Sequence, residues 1–263
     1  MHLPFSAHLG YLFTERPIEQ RLAAANAAGF EAVEHPAPFA IPASRMRDLL
    51  DAHGLRMAQI TSGMGNAGEK GITCLPGREV EFRDGYARAL DYAEAIDCPF
   101  VHPMAGVGGE AATYQANVEV AVQLAEARKP RVLVEAISDA AVPGYHMAHI
   151  DDLLALARRL EGRVSVLIDT FHATADGHDP AAALTAAGQY LGHVHIADAP
   201  GRHEPATGRI DFAAVLNTLA DLKFKGAIGF EYLPSGPDHL GWLPEWRDLR
   251  ARALGHRLHG ANP

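Results

Sequence analysis

Short apolar runs alternate with longer amphipathic segments from one end of the chain to the other. The runs LPFSAHL (3–9), FEAVE (30–34), RMAQI (56–60), FVHP (100–103), RVLVEA (131–136), VSVLID (164–169), HVHIAD (193–198) and AIGFEY (227–232) read as strands. Helical periodicity follows each of them, over 18–29, 42–54, 77–96, 113–129, 149–162, 180–188, 211–222 and 243–256. Gly29, Gly54 and Gly162 stand where helices end in a left-handed residue. Strands alternating with helices form a parallel sheet, and eight such units are the number that closes into a barrel. The expected class is therefore α/β, a (β/α)8 TIM barrel built from residues 1–263 as a single domain. An open doubly wound sheet is the alternative. It lacks support, because residues 7–15 (AHLGYLFTE) carry no glycine-rich phosphate turn.

Side-chain phase sharpens this expectation. In the last four strands Val132 and Val134, Val166 and Ile168, Val194 and Ile196, and Ile228 and Phe230 share one phase. All are β-branched or aromatic, as a strand face covered by helices demands. The opposite phase points into the barrel and becomes polar at the C-terminal strand ends, where barrel active sites lie. It carries Glu135, Asp169, His195 and Glu231 on four adjacent strands. Three carboxylates and one imidazole cannot be buried together unless a cation neutralises them or some take up protons. A divalent ion is the simplest resolution. The oxygen donors favour Mg²⁺ or Mn²⁺, and the imidazole also admits Co²⁺, Fe²⁺ or Zn²⁺. The competing explanation is four unrelated strand-end residues paired with Arg or Lys.

Other histidines gather at the same rim: His8, His35, His102 and His172 lie at or just beyond predicted strand ends. His172, three residues past Asp169, is placed to touch a ligand, or else is a hydrogen-bonded loop histidine. His193 shares the phase of His195 but sits one layer deeper, about 6.6 Å along the strand, and is not read as a ligand. Arg202, in the Gly/Pro-containing loop 198–211, either clamps a substrate oxygen or carboxylate or belongs to a solvated turn with His203 and Glu204. The loop 61–79 is long and glycine-rich, as lids are, with Glu69 and Lys70 as its candidate substrate contacts.

Composition narrows the class. The chain has 23 basic and 32 acidic residues, a formal charge of −9, and no basic stripe for nucleic acid. Its two cysteines make neither a disulfide framework nor a Cys-based zinc site. Without an 18-residue apolar run or a signal-peptide pattern, the expectation is a soluble cytoplasmic protein with no membrane contact. Its partner is then a small molecule, and a homo-oligomer is the default guess for assembly.

The segments GYLFTE (10–15), GEKGITCLPGREVEFRDG (68–85), HIADAPGRHEPATGRID (195–211) and FEYLPSG (230–236) together resemble the hydroxypyruvate isomerase family, within the xylose-isomerase-like sugar isomerases and epimerases. The likeness runs over almost the whole chain. It implies a TIM barrel with a divalent metal on Glu135, Asp169, His195 and Glu231, and it implies that Glu135 and Glu231 transfer the proton. His172 and Arg202 match substrate-contacting positions, and His102 joins them at the rim. The implied reaction interconverts hydroxypyruvate and tartronate semialdehyde, or a related sugar acid. Departures are present: His195 replaces a Gln and resembles the ketose 3-epimerases, Ala140 stands where the family has Arg, Ser138 where it has Asn, and His8 replaces an Asn. A ketose 3-epimerase and a catalytically silent sugar-binding barrel are the alternatives.

Overall fold

The computed structural model of the protein describes residues 2–259. Its strands are β1 (Phe5–His8), β2 (Ala32–His35), β3 (Arg56–Thr61), β4 (Phe100–His102), β5 (Arg131–Glu135), β6 (Val164–Asp169), β7 (Leu191–Ile196) and β8 (Ile228–Phe230). Each pairs in parallel with the next, and β8 returns to β1, so the sheet closes as an eight-stranded barrel in chain order. The helices are α1 (Ile18–Ala28), α2 (Ala43–Ala52), α3 (Glu79–Ala95), α4 (Ala111–Ala125), α5 (Ile150–Arg159), α6 (Thr170–Ala175), α7 (Pro180–Ala187), α8 (Phe212–Asp221) and α9 (Leu243–His259). Every expected βα unit is present. The addition is α6, a helix of 6 residues that starts directly at the end of β6.

Local chemistry accounts for the boundaries. Asp179 and Asp211 cap α7 and α8 by accepting from the backbone N–H of Ala182 and Ala214. Gly29 ends α1 at φ 84°, a left-handed conformation that glycine adopts without strain. In α5, Asp151 and Asp152 occupy the first turn and Arg158 and Arg159 the last, each sign at the favourable end of the helix dipole.

The outward strand phase is the core. Val132, Val134, Val166, Ile168, Val194, Ile196, Ile228 and Phe230 are all fully buried under the helices. Trp242 and Trp246 pack on this barrel. Phe230 stacks on Trp242 at 4.2 Å between centroids, and Trp246 lies edge-on to Phe5, Phe230 and Trp242. This aromatic cluster holds α9 over the seam between β1 and β8. Trp246→Ala is expected to cost about 3–5 kcal/mol, read as a lowered urea midpoint, because the surrounding rings cannot all move into the vacated volume.

The inward phase is unusual for such a barrel, whose interior is ordinarily filled by bulky branched side chains. Here Ser6, Glu34, Gln59, Ser165, His193 and His195 are buried, together with Gly229 on β8. Pairing sets Asp169 beside His195, and His195 beside Gly229. The polar residues thus occupy two successive levels of the barrel under its C-terminal mouth, with His195 in the upper and His193 in the lower.

Candidate active site

Four strand ends deliver Glu135, Asp169, His195 and Glu231 to one point. A ligand atom from each lies within 4.8 Å of the other three, and all four residues are buried. Asp169 ends β6 and caps α6: its Oδ1 accepts from the N–H of Phe171 and His172, while the buried Oδ2 has no hydrogen-bond partner. Glu135 Oε1 is likewise buried and unpartnered, and so is His195 Nδ1. That nitrogen lies 2.9 Å from Glu231 Oε2 and 3.9 Å from Glu135 Oε1, off the line of a hydrogen bond to either. Three orphaned donor atoms facing one another in a buried, acidic pocket would each cost free energy unless something joined them. A carboxylate-rich set with one imidazole fits a divalent cation of the Mg²⁺ or Mn²⁺ kind.

The same crowding splits the carboxyls. Burial drives Glu135 well above the usual carboxylate range, and the charges of Glu231 and Asp169 add to it. Burial also acts on Glu231, but Arg202, His8 and His195 overcome it and hold that carboxylate well below the usual range. For His195 burial opposes the charged ring, and the carboxylates of Glu34 and Glu231 prevail, raising its pKa well above 6.5. His102 is pushed down to about 3 and His172 to about 4, chiefly by burial, so both are neutral donors or acceptors at neutral pH. His8 is lowered as well; its Nδ1 accepts from Gly10 N–H, which leaves Nε2 facing Glu231 Oε1 at 3.5 Å.

The cavity above this cluster, about 120 Å³, is walled by His102, His172, Arg202 and Lys70 on its polar side. Met64, Met104, Ile137 and Val142 form its apolar side. Arg202 is not a solvated turn residue. Its Nη2 lies 2.8 Å from Glu231 Oε2 and 3.6 Å from Asp169 Oδ2, its Nη1 donates to the Tyr11 hydroxyl, and its plane is flanked by Tyr11 and Phe171. Buried Asp198 holds its loop: the two carboxylate oxygens accept from the backbone N–H of Ala199, Gly208 and Ile210. Glu204, expected in a mid-loop turn, is buried and tied to Ser235. His172 Nδ1 shares a hydrogen bond with Ser138 Oγ, while Nε2 lies 3.8 Å from Asp169 Oδ2.

Two rim residues do not reach the site. Glu69 turns away from the cavity and accepts from Arg78 Nη1 (2.8 Å) and the Asn66 N–H within its own loop. His35 Nδ1 accepts from Ala37 N–H in its own turn. The loop 61–79 is pinned rather than free. Gly71, at φ 114°, donates to Met64 O and lies so close to Met104 O that a Cβ would come within 2.2 Å; Cys74 N–H donates to Ala105 O. Ala140 is exposed and does not line the cavity.

The pattern in the sequence did not single out Glu34. It lies one residue before the end of β2 in the inward phase, is fully buried, and its Oε2 accepts from His193 Nε2 and His195 Nε2, each at 2.8 Å, with Gln59 Nε2 at 3.2 Å. Its only sequence signal is a carboxylate closing the apolar run FEAVE.

The barrel and its ring of strand-end donors define a xylose isomerase-like TIM barrel, and the chain matches that family over residues 22–251. A 2-oxo-tetronate isomerase of Cupriavidus necator is 36% identical over 251 residues, covering 91% of this chain and 96% of that one. The hydroxypyruvate isomerase of Escherichia coli is 30% identical, covering 93% of this chain and 100% of its own. The chain belongs to the hydroxypyruvate isomerase family of isomerases. A crystal structure described as an AP endonuclease, family 2, from Brucella melitensis superposes with a TM-score of 0.87 at 30% identity, over 93% of this chain and 99% of that one. An L-ribulose 3-epimerase structure shares the fold, with a TM-score of 0.80 at 18% identity and full coverage of both chains. No helix among the described residues is long and apolar enough to cross a membrane.

Proposed function

We propose that the protein is a divalent-metal-dependent isomerase of short 2-oxo acids, interconverting hydroxypyruvate and tartronate semialdehyde or their four-carbon analogues. The observation that carries this reading is the buried cluster of Glu135, Asp169, His195 and Glu231 at the barrel mouth, in which Glu135 Oε1, Asp169 Oδ2 and His195 Nδ1 have no hydrogen-bond partner. A divalent cation on Glu135, Asp169, His195 and Glu231 would supply Lewis-acid polarisation of the substrate's carbonyl and neighbouring hydroxyl oxygens. Isomerisation of hydroxypyruvate removes a proton from C3 and returns one to C2, while the hydroxyl proton passes from O3 to O2. Glu231, held ionised by Arg202, takes the carbon-bound proton. Glu135, ionised once a cation is bound, receives that proton or one exchanged for it with solvent and returns it to the neighbouring carbon. Neutral His172 and His102 stand beside the oxygens and donate or accept as the charge shifts. Arg202 also covers the site from water, its guanidinium packed against Tyr11 and Phe171.

Size and wall chemistry favour the short acid over a ketose. Tyr11, Thr61 and His102 on the polar wall can meet some hydroxyls of a hexulose, but those turned toward Met64, Met104, Ile137 and Val142 find no partner. In place of the family Arg at position 140, Lys70 at the cavity mouth and the free Nε of Arg202 receive the carboxylate. Lys70→Ala is expected to raise KM for the acid roughly 10–100-fold with kcat little changed, since a charge-assisted hydrogen bond is worth about 1.5–3 kcal/mol in ground and transition state alike. The decisive assay is proton NMR of the Mg²⁺-loaded protein in D₂O with hydroxypyruvate, 2-oxo-tetronate and a panel of ketoses. Tartronate semialdehyde or the tetronate isomer is the expected product. Deuterium entering C3 of a ketose, with its epimer accumulating and both acids untouched, would transfer the assignment to a 3-epimerase. No exchange in any of them would leave a silent sugar-binding barrel.

A further inference from the structure

Below the donor cluster lies a second layer that the reaction itself does not use. Glu34, His193 and Gln59 are buried there, and His195 belongs to both layers. An ionised carboxylate only accepts hydrogen bonds, so a ring nitrogen 2.8 Å from Glu34 Oε2 must carry its hydrogen. Both His193 and His195 meet that oxygen through Nε2. The hydrogen of a neutral His195 therefore sits on Nε2, and the lone pair sits on Nδ1, the atom turned toward Glu135 and Glu231. Ring packing fixes the plane: His193 lies edge-on to His195 on one side at 5.0 Å, and His8 edge-on at 5.8 Å.

The neighbouring strand is shaped around this carboxylate. A Cβ on Gly229 would come 2.2 Å from Glu34 Oε1, 2.7 Å from the His195 ring and 2.9 Å from His193 Nε2. Gly229 has an ordinary strand conformation, with no positive φ that would itself call for glycine. Space for Glu34 and the two rings is the reason for a residue without a side chain.

We propose that Glu34 is a positioning residue for the metal site. It fixes the tautomer and ring plane of His195 so that Nδ1 is the donor atom, with His193 as a second donor that keeps the carboxylate in place. This rests on the metal-dependent reading given above. Outer carboxylates that orient a ligating histidine typically contribute 10–100-fold to metal affinity.

The test is titration of the metal-free full-length protein with Mn²⁺, followed by electron paramagnetic resonance and calorimetry. Wild type is compared with the near-isosteric Glu34→Gln, with Gly229→Ala and with His195→Ala. Wild type is expected to bind one equivalent. Glu34→Gln and Gly229→Ala are expected to weaken binding roughly 10–100-fold, and His195→Ala at least as much. Thermal unfolding without metal separates this from a merely structural role, which would lower the midpoint and leave the affinity unchanged. Nitrogen NMR of the Mg²⁺-loaded protein should show His195 protonated at Nε2 and unprotonated at Nδ1. An affinity within about twofold of wild type in Glu34→Gln, alongside a loss in His195→Ala, would overturn the positioning role alone. A second Mn²⁺ equivalent abolished by Glu34→Gln would overturn it too, since Glu34, His193 and His195 would then be ligands themselves. Wild-type protein that takes up no Mn²⁺ would overturn the metal-dependent reading and the positioning role with it.

Discussion

Glu231→Gln is expected to lower turnover by about 10²–10⁴-fold while leaving the fold in place, because general acid–base catalysis is worth that much and the amide cannot take a carbon-bound proton. The substitution keeps the shape of the side chain, and Arg202 Nη2 can still donate to its carbonyl oxygen. The loss should therefore appear in kcat with a near-native urea midpoint and an ordered barrel. Deuterium exchange into substrate reports the step directly. A Glu231→Gln protein that binds Mn²⁺ normally and still exchanges substrate hydrogen near the wild-type rate would remove Glu231 from the proton-transfer role. Glu135→Gln is the informative companion, since both carboxyls are required for a proton to leave one carbon and arrive at the next.

Metal affinity should climb steeply with pH. In the metal-free protein Glu135 and His195 are both displaced toward their protonated forms, and a cation must displace both protons to bind. The sign follows from these raised pKa values: below them each bound cation competes with protons, and above them the competition ends. With two protons displaced, affinity changes about 100-fold per pH unit over the range where both groups are protonated. Calorimetry of Mg²⁺ or Mn²⁺ binding in buffers of different ionisation enthalpy measures the number released. An affinity independent of pH from mildly acidic to mildly basic solution would contradict this charge exchange. The stabilisation that the cation gives the fold should rise along the same curve, since a ligand that binds only the native state adds stability with its affinity.

Much of this architecture could be read from residue order alone, for identifiable reasons. The outward phase of the last four strands is entirely β-branched or aromatic, which marks the helix-covered face. The polar residues of the other phase then had to converge at one mouth, and Glu135, Asp169, His195 and Glu231 do so. What could not be read depends on contacts between distant segments. Glu34 looks like the polar end of an apolar run until β7, 159 and 161 residues further on, brings two imidazoles to its oxygen. Glu69 and Lys70 are neighbours in a loop with no periodicity. Only the pairing of Gly71 with the segment after β4 decides that one faces Arg78 while the other lines the cavity. The fate of Glu204 was hidden for the same reason, as Ser235 lies beyond the next helix and strand. The short helix α6 is not legible in the sequence because its 6 residues are too few to show a period.

The seam between β1 and β8 carries a kinetic consequence. These strands come from opposite ends of the chain, and the last strand is immediately followed by Glu231. Contacts between such distant segments form late, because the loop entropy must be overcome before they give anything back. A nascent chain whose final strand is still inside the ribosome already holds Glu135, Asp169 and His195, yet has no closed barrel and no complete ligand set. On the proposed reading, competence to bind a cation and to move a proton arrives in the same event as topological closure. During refolding, recovery of cation uptake should track docking of the two tryptophans on the seam rather than the earlier gain of helix.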